Sequence, residues 1–321
     1  MGEQRQRVCV TGGAGFIGVR LVGTLLERGN EVVVLDDLSV GRRERVPGDA
    51  HLVIGDIRDA GVVREALAGC DAVAHLAARV AIRSSFEFAV EDASVNLVGT
   101  ASVLRGAIDA GTVRRFVLAS SMAVYADSAA PRPLDESHAT QPASPYGVSK
   151  LAAERLVNLM CAQAGVSGGV LRLFNTYGPG QTFSPYVGVV TIFVNDILAG
   201  RDVTIFGDGE QCRDFVHVDD VAGAFALAIE HGHANGTYNI GTGRATSVNT
   251  LYAQVSNAMA GAGGVCHVEP VAGELRYSIA DIRAAQRALG YQPKHRIDAA
   301  IADIVAEIAA HASAPSCTNQ P

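Results

Sequence analysis

A tyrosine and a lysine stand four residues apart in SPYGVSK (residues 144–150), with Tyr146 and Lys150 where a helical stretch begins. On a helix, side chains at i and i+4 share one face about 6 Å apart along the axis, so the ammonium lies beside the phenol. A neighbouring cation favours phenolate. It draws a tyrosine pKa of about 10 toward neutrality, where the oxygen can take a proton from an alcohol. The same spacing also arises when a surface tyrosine sits above a lysine, so the rest of the chain must supply the context.

The apolar pattern gives the elements that would position this pair. Runs at 8–11, 31–36, 51–54, 71–76, 115–120 and 169–173 read as short strands, and stretches at 16–28, 59–68, 92–110 and 146–164 have helical periodicity. Near-continuous apolar strands alternating with helices predict a parallel sheet covered on both faces. Beyond residue 174 the pattern loosens into the turns YGPGQ, FGDGEQ and NIGTGR, with shorter helices near 186–199, 218–230, 247–259 and 281–289. The expected fold is α/β: a Rossmann-type doubly wound parallel sheet over residues 1–174, and a smaller irregular α/β part over 175–321 that closes over a ligand at the carboxyl ends of the strands.

Between the first strand and the first helix stands TGGAGFIG (residues 11–18), in which Gly12, Gly15 and Gly18 allow a tight turn. Backbone N–H groups there, including those of Phe16 and Ile17, can approach a pyrophosphate at the helix N-terminus. Asp36 ends the second strand, where a carboxylate accepts hydrogen bonds from the ribose hydroxyls of an adenosine and repels a 2'-phosphate. That favours NAD over NADP. Arg42 and Arg43 argue the other way, because they can bind such a phosphate. Asp56 and Ile57, in GDIRD, are placed to cover the adenine, and Asp56 reads equally well as a helix N-cap.

The bulk composition excludes several classes. A net charge of −7, with no basic run longer than the Arg42 and Arg43 pair, argues against a general nucleic-acid binder. Six scattered cysteines without a C-x-x-C pair fit neither a zinc site nor a disulfide framework, so no metal is expected and a reducing cytoplasm is. No apolar run reaches the roughly 18 residues of a membrane span, and the charged start leads straight into a strand, leaving no room for a signal peptide. The tail at 311–321 is expected to fray.

In chain order, TGGAGFIG, GDIRD, HLAAR, NLVGT, SSMAVY, YGVSK, LFNTYGPG and GEQCRDFVHVDDV resemble the motifs of the extended short-chain dehydrogenase/reductases that modify nucleotide sugars, over about residues 7 to 290. The resemblance implies an NAD-dependent enzyme in which Ser121 hydrogen-bonds a sugar hydroxyl, Tyr146 takes its proton, and Lys150 lowers the tyrosine pKa and holds the nicotinamide ribose. It adds Leu76, Ala77 and Ala78 to the cofactor residues. It places Ser84, Met122, Asn175, Arg213, Arg276 and Ser278 toward the substrate, with Asn175 and Arg213 on a diphosphate. Phe206 would lie near a uracil base or simply pack in the core. The implied partners are a UDP-sugar and a second copy of the chain, joined through the helices near 92–110 and 146–164.

Family members share oxidation at sugar C4 and differ in the fate of the resulting ketone. Where 4,6-dehydratases carry Thr-Asp-Glu, this chain has Ser121, Met122 and Ala123, and neither Met122 nor Ala123 can move a proton. The 4-epimerases carry a small residue where Met122 stands, and a long thioether there would hinder turnover of the 4-keto sugar. Their Arg-Pro-Gly-Glu segment appears here as VAGE (residues 271–274), followed by Arg276. Ser278 falls at a position that is small in relatives accepting N-acetylhexosamines. The pattern is similar to a UDP-N-acetylglucosamine 5,6-dehydratase. The expected reaction is C4 oxidation, loss of water across C5–C6 and hydride return to C4, with a 4-epimerase and a catalytically silent NAD-sensing protein as alternatives. Tyr146, a carboxylate or a thiol is the candidate base for the C5 proton.

Overall fold

The computed structural model describes residues 5–80, 82, 84–181, 188–230, 235–261, 263–270 and 275–313. The strands are β1 (Arg7–Thr11), β2 (Glu31–Asp36), β3 (His51–Ile54), β4 (Ala72–His75), β5 (Arg115–Ser121), β6 (Ser167–Leu173), β7 (Asn175–Tyr177), β8 (Val203–Phe206), β9 (Cys212–Arg213), β10 (Phe215–His217), β11 (Gly236–Ile240), β12 (Thr246–Ser247), β13 (Val265–Val268) and β14 (Tyr277–Ser278). The α-helices are α1 (Phe16–Glu27), α2 (Ala60–Leu67), α3 (Ala89–Ala93), α4 (Thr100–Ala110), α5 (Pro145–Ala164), α6 (Val189–Leu198), α7 (Val218–Glu230), α8 (Val248–Ala258), α9 (Arg283–Leu289) and α10 (Ile297–Ser313).

Among the described residues, seven strands form one parallel sheet in the order β11-β6-β5-β4-β1-β2-β3. The strands can be apolar throughout because each face has its own cover. In β1, Val8 and Val10 point into the core beneath α1, α7 and α9, while Cys9 points into the core beneath α2, α4 and α5. β2 divides in the same way, Val32 and Val34 to one side and Val33 and Leu35 to the other. Each such side chain contributes about 2 kcal/mol of burial.

The division expected after residue 174 is crossed by the chain itself. β11 returns to the large sheet and pairs with β6, and α7 packs on α1. The remaining elements build the smaller part, whose core of Phe193, Val194, Ile205, Leu251 and Ile301 lies among α6, α8, α10 and β8. The stretch expected as one helix over 92–110 is three pieces: α3, a π-helical turn at Ser94–Gly99, and α4. The VAGE segment and the end of the tail, 314–321, lie outside the described residues.

Two glycine contacts set the geometry of the site. A Cβ at Gly18 would stand 2.1 Å from the Gly12 carbonyl oxygen, so α1 leaves β1 in backbone contact with its own turn. A Cβ at Gly147 would stand 2.3 Å from the Ala123 carbonyl oxygen, so α5 begins pressed against the end of β5. Gly18→Ala is expected to lower unfolding stability by about 2–4 kcal/mol in urea titrations, because backbone rather than a side-chain tip must give way.

Candidate active site

A cavity of about 1020 Å³ opens where the carboxyl ends of the strands meet the smaller part. Its wall brings together Gly12, Gly15, Phe16, Ile17, Gly18, Asp36, Leu76 and Ala78 at one end, Ser121, Met122, Tyr146 and Lys150 in the middle, and Asn175, Phe206 and Arg213 at the other. Residues distant in sequence thus line one space.

Ser121 is the last residue of β5, and its Oγ accepts a hydrogen bond from the Ala123 N–H at 3.2 Å. Tyr146 and Lys150 occupy the first two turns of α5, which starts with Pro145 behind an N-cap at Ser144, whose side chain accepts from the Gly147 N–H. Tyr146 and Lys150 are both buried, and the Ser121 hydroxyl lies near enough to the phenol to favour its ionised form. The electrostatics differ from the simple expectation of a lysine drawing a tyrosine toward neutrality. Burial pushes the Tyr146 phenol up to about 12, outweighing the Ser121 hydroxyl that favours phenolate, while Asp92 adds to the rise. Burial likewise pulls Lys150 down to about 8 against the attraction of Glu154. Desolvation of both groups outweighs their attraction to partners.

At the dinucleotide end, no side chain caps the first turn of α1, so its N–H groups face the cavity available to an anion. Asp36 Oδ2 accepts from the Ala14 N–H at 2.9 Å and Oδ1 from the Leu38 N–H at 2.9 Å, which aims the carboxylate at the rim. These features fit NAD. Arg42 and Arg43 do not line the cavity, whereas Arg45 does. Ala77 supports the turn from behind, its N–H bonded to Thr11 Oγ1 at 3.2 Å. Asp56 and Ile57 lie outside the cavity wall: Ile57 is buried against Gly99, and Asp56 is engaged by the Arg58 guanidinium, which holds its carboxyl below the usual range.

At the sugar end, Asn175 lines the wall, and its Oδ1 is buried without a hydrogen-bond partner among the described residues. Met122 is buried beside Ser121 in the wall. Three expected substrate residues fall elsewhere. Arg276 forms a bidentate pair with Asp208 at 2.9 and 2.7 Å, outside the wall. Ser278 is fully buried and is not part of the wall, although β14 pairs it in register with Arg213. Ser84 caps a helical turn with its carbonyl, accepting from the Glu87 and Phe88 N–H groups, and does not reach the wall.

Sequence reasoning missed a buried polar chain beneath the site. Thr11 Oγ1 meets His75 Nδ1 at 2.7 Å, His75 Nε2 meets Thr100 Oγ1 at 2.9 Å, and Thr100 donates to the Asn96 carbonyl at 2.6 Å. Asn96, inside the π-helical turn, donates to Ser149 Oγ at 3.2 Å, and Ser149 donates to the Tyr146 carbonyl at 2.8 Å. Hydrogen bonds therefore run from the glycine turn to the helix that carries Tyr146. Burial holds His75 neutral, its pKa pulled down to about 3. The only signal in the sequence was the His within HLAAR and the Asn of NLVGT, polar residues at a strand end and in a helix.

The chain matches the model of the NAD dependent epimerase/dehydratase family over residues 8–241. It is 36% identical over 305 residues to the UDP-glucose 4-epimerase of Mycolicibacterium smegmatis, covering 93% of this chain and 97% of that protein. The crystal structure of a UDP-glucose 4-epimerase from Thermotoga maritima with UDP-glucose superposes with a TM-score of 0.90 at 35% identity, covering 95% of this chain and 99% of that one. A UDP-N-acetylglucosamine 4-epimerase from Methanobrevibacter ruminantium, in complex with UDP-N-acetylmuramic acid, has a TM-score of 0.89 at 29% identity, covering 96% and 99%.

Because Lys150 is buried with its pKa lowered from 10.5 to about 8, its charge opposes folding below pH 8, and that penalty, on the order of 3 kcal/mol, is relieved as pH rises from 8 to 10.5. Lys150→Met is therefore expected to raise the thermal midpoint at pH 7 while abolishing turnover, and to remove the gain in stability that the wild type shows across that window.

Proposed function

This chain belongs to the NAD-dependent epimerase/dehydratase family of extended short-chain dehydrogenase/reductases, and we propose that it converts UDP-N-acetylglucosamine to its 5,6-alkene by transient oxidation at C4 and loss of water across C5–C6. One observation carries this reading over its neighbours: Met122 lies buried in the wall beside Ser121, where a rotating 4-keto sugar needs room and where a 4,6-dehydratase needs an acid. The whole motif pattern is similar to the UDP-N-acetylglucosamine 5,6-dehydratase of tunicamycin biosynthesis.

In this mechanism Ser121 hydrogen-bonds the C4 oxygen and Tyr146 takes its proton. NAD, when bound against Gly12, Gly15, Gly18, Asp36 and Lys150, supplies a reversible acceptor for the hydride that C4 loses. The C4 ketone then acidifies the C5 proton. Among the described residues of the wall the carboxylates are Asp36 and Asp37, at the dinucleotide end, and Asp196, paired with Arg201; no cysteine lines it. Tyr146 is left as the base. It passes the proton taken from O4 to the departing C6 hydroxyl, which leaves as water, and takes the C5 proton in its place. Tyr146 would hand that proton to O4 as the bound cofactor gave the hydride back to the original face of C4, so one water would be lost and no redox equivalent consumed. A phenol with a raised pKa is a stronger base once ionised, which suits a carbon acid.

Arg213 and Asn175 hold the diphosphate in this reading, with Phe206 beneath the uracil. Residues 1–174 carry the cofactor and the Ser/Tyr/Lys set, and 175–321 supply most of the nucleotide-sugar contacts. A 4-epimerase of UDP-hexoses or UDP-N-acetylhexosamines is the second reading, favoured by the 4-epimerase relatives above. The protein works as a homodimer: Val90 and Val98, on α3 and the turn after it, and Val148 and Leu159, on α5, are exposed apolar side chains on the two helical stretches expected to meet a second copy.

Proton NMR of the product from UDP-N-acetylglucosamine tests the reaction: new vinyl signals are expected, and a clean galacto-configured product would establish the epimerase instead. Tyr146→Phe should lower turnover by about a thousandfold with UDP binding retained, as measured by calorimetry. Val148→Arg should shift sedimentation from dimer to monomer.

A further inference from the structure

Behind the cavity wall stands a buried carboxylate that the reaction above does not use. Asp92 lies on α3, which packs across the first turns of α5, where Ala89 and Ala93 share a surface groove with Pro145, Val148 and Ser149. Its Oδ1 accepts from Arg79 Nε at 3.0 Å, while Oδ2 is buried with no hydrogen-bond partner among the described residues. Arg79 is fixed at both ends. Its N–H donates to Asn96 Oδ1 at 2.8 Å, its carbonyl accepts from Asn96 Nδ2 at 3.1 Å, and its guanidinium lies 5.7 Å from the Phe88 ring centroid. The same Asn96 reaches Ser149, whose hydroxyl donates to the Tyr146 carbonyl. The ion pair and the turn that carries the phenol are therefore joined by hydrogen bonds.

The two charges of the pair are screened unequally. The Arg79 side chain is 44% exposed, so water shares its charge, whereas that of Asp92 is 5% exposed. A pair of this kind leaves a net negative field inside the protein, which disfavours a second anion nearby. Ser121 bears on the Tyr146 phenol from β5 and Asp92 bears on it from α3, with Lys150 one turn further along α5. Lys150 in turn is influenced by Glu154 on α5 and lies near the neutral His75 of β4. We propose that Asp92 is a positioning residue for the reaction, acting through Tyr146: its carboxylate makes the phenolate a stronger base, and Arg79 sets by how much. The inference rests on Tyr146 being the base of the proposed reaction and holds for either fate of the 4-keto sugar.

The test follows the ionisation of Tyr146 itself. Phenolate ultraviolet absorbance of the NAD-loaded protein is titrated with pH, and the curve of the matching protein carrying Tyr146→Phe is subtracted, so that the difference belongs to one tyrosine. In Asp92→Asn the midpoint should fall by about half a unit or more, and in Arg79→Gln, which leaves the carboxylate without its cation, it should rise by a similar amount. Arg79 is half-exposed, so Arg79→Gln reads the effect even where Asp92→Asn does not fold. Midpoints that stay in place, or that move the same way in both variants, would overturn the inference, because a structural lesion has no reason to act with opposite signs. The acid limb of UDP-N-acetylglucosamine turnover should move in the same two directions. A titration that shifts while that limb stays put would instead bring down Tyr146 as the base, and with it the functional reading, an outcome distinct from a phenol that does not respond to Asp92.

Discussion

Desolvation is the constraint on which the site depends. The walls that make a cavity deep enough for a dinucleotide and a sugar also strip water from Tyr146 and Lys150, and the raised phenol and lowered ammonium are the direct result. On an isolated helix surface water would solvate both groups, and the lysine would favour phenolate only slightly. Here the interior wins, and the resting protein holds a neutral phenol beside Ser121. Reactivity is then conditional on what enters the cavity, because a bound cationic ring or a polarised hydroxyl changes the balance that burial has set.

Support for that arrangement extends into the sheet. Arg172 on β6 forms a bidentate ion pair with Glu154 on α5 at 2.9 and 2.7 Å, and Ser120 donates to the same carboxylate at 2.5 Å. Both partners are buried, so the pair is held by geometry and by the cost of leaving either charge alone. The glutamate lies one turn beyond Lys150, and the same cluster therefore locks the rotation of α5 that aims the lysine and the tyrosine. On the other side, the chain from Thr11 through His75 and Asn96 to Ser149 ties α5 to the glycine turn.

The fold was legible in the sequence wherever a local signal decided it. The β2 and β3 boundaries agree with the apolar runs to the residue, and the Gly12, Gly15 and Gly18 turn stands where the spacing put it. The return of β11 to the large sheet was not legible, because Gly236–Ile240 resembles any short strand and its partner β6 is far away in sequence, Gly236 pairing with Gly169. The π-helical turn was hidden for a similar reason: periodicity over 92–110 averages across an inserted residue. In the site, residues anchored by backbone geometry were found, while those defined by where a long side chain swings were not. Arg45 rather than Arg42 or Arg43 reaches the wall, Arg276 turns to Asp208, and Ser278 faces inward from a two-residue strand whose phase no pattern could determine.

The contact at Gly147 has a wider meaning. Because the start of α5 rests on the Ala123 carbonyl through bare backbone, the main chain limits how close Tyr146 comes to Ser121, and the buried side-chain pairs described above fix the rotation of the helix. Residues such as Met122 are then at liberty to diverge without disturbing the proton-transfer pair. On the reading proposed above, a change at a wall residue such as Met122 would alter the fate of the sugar while leaving the main-chain contact that seats Tyr146 in place.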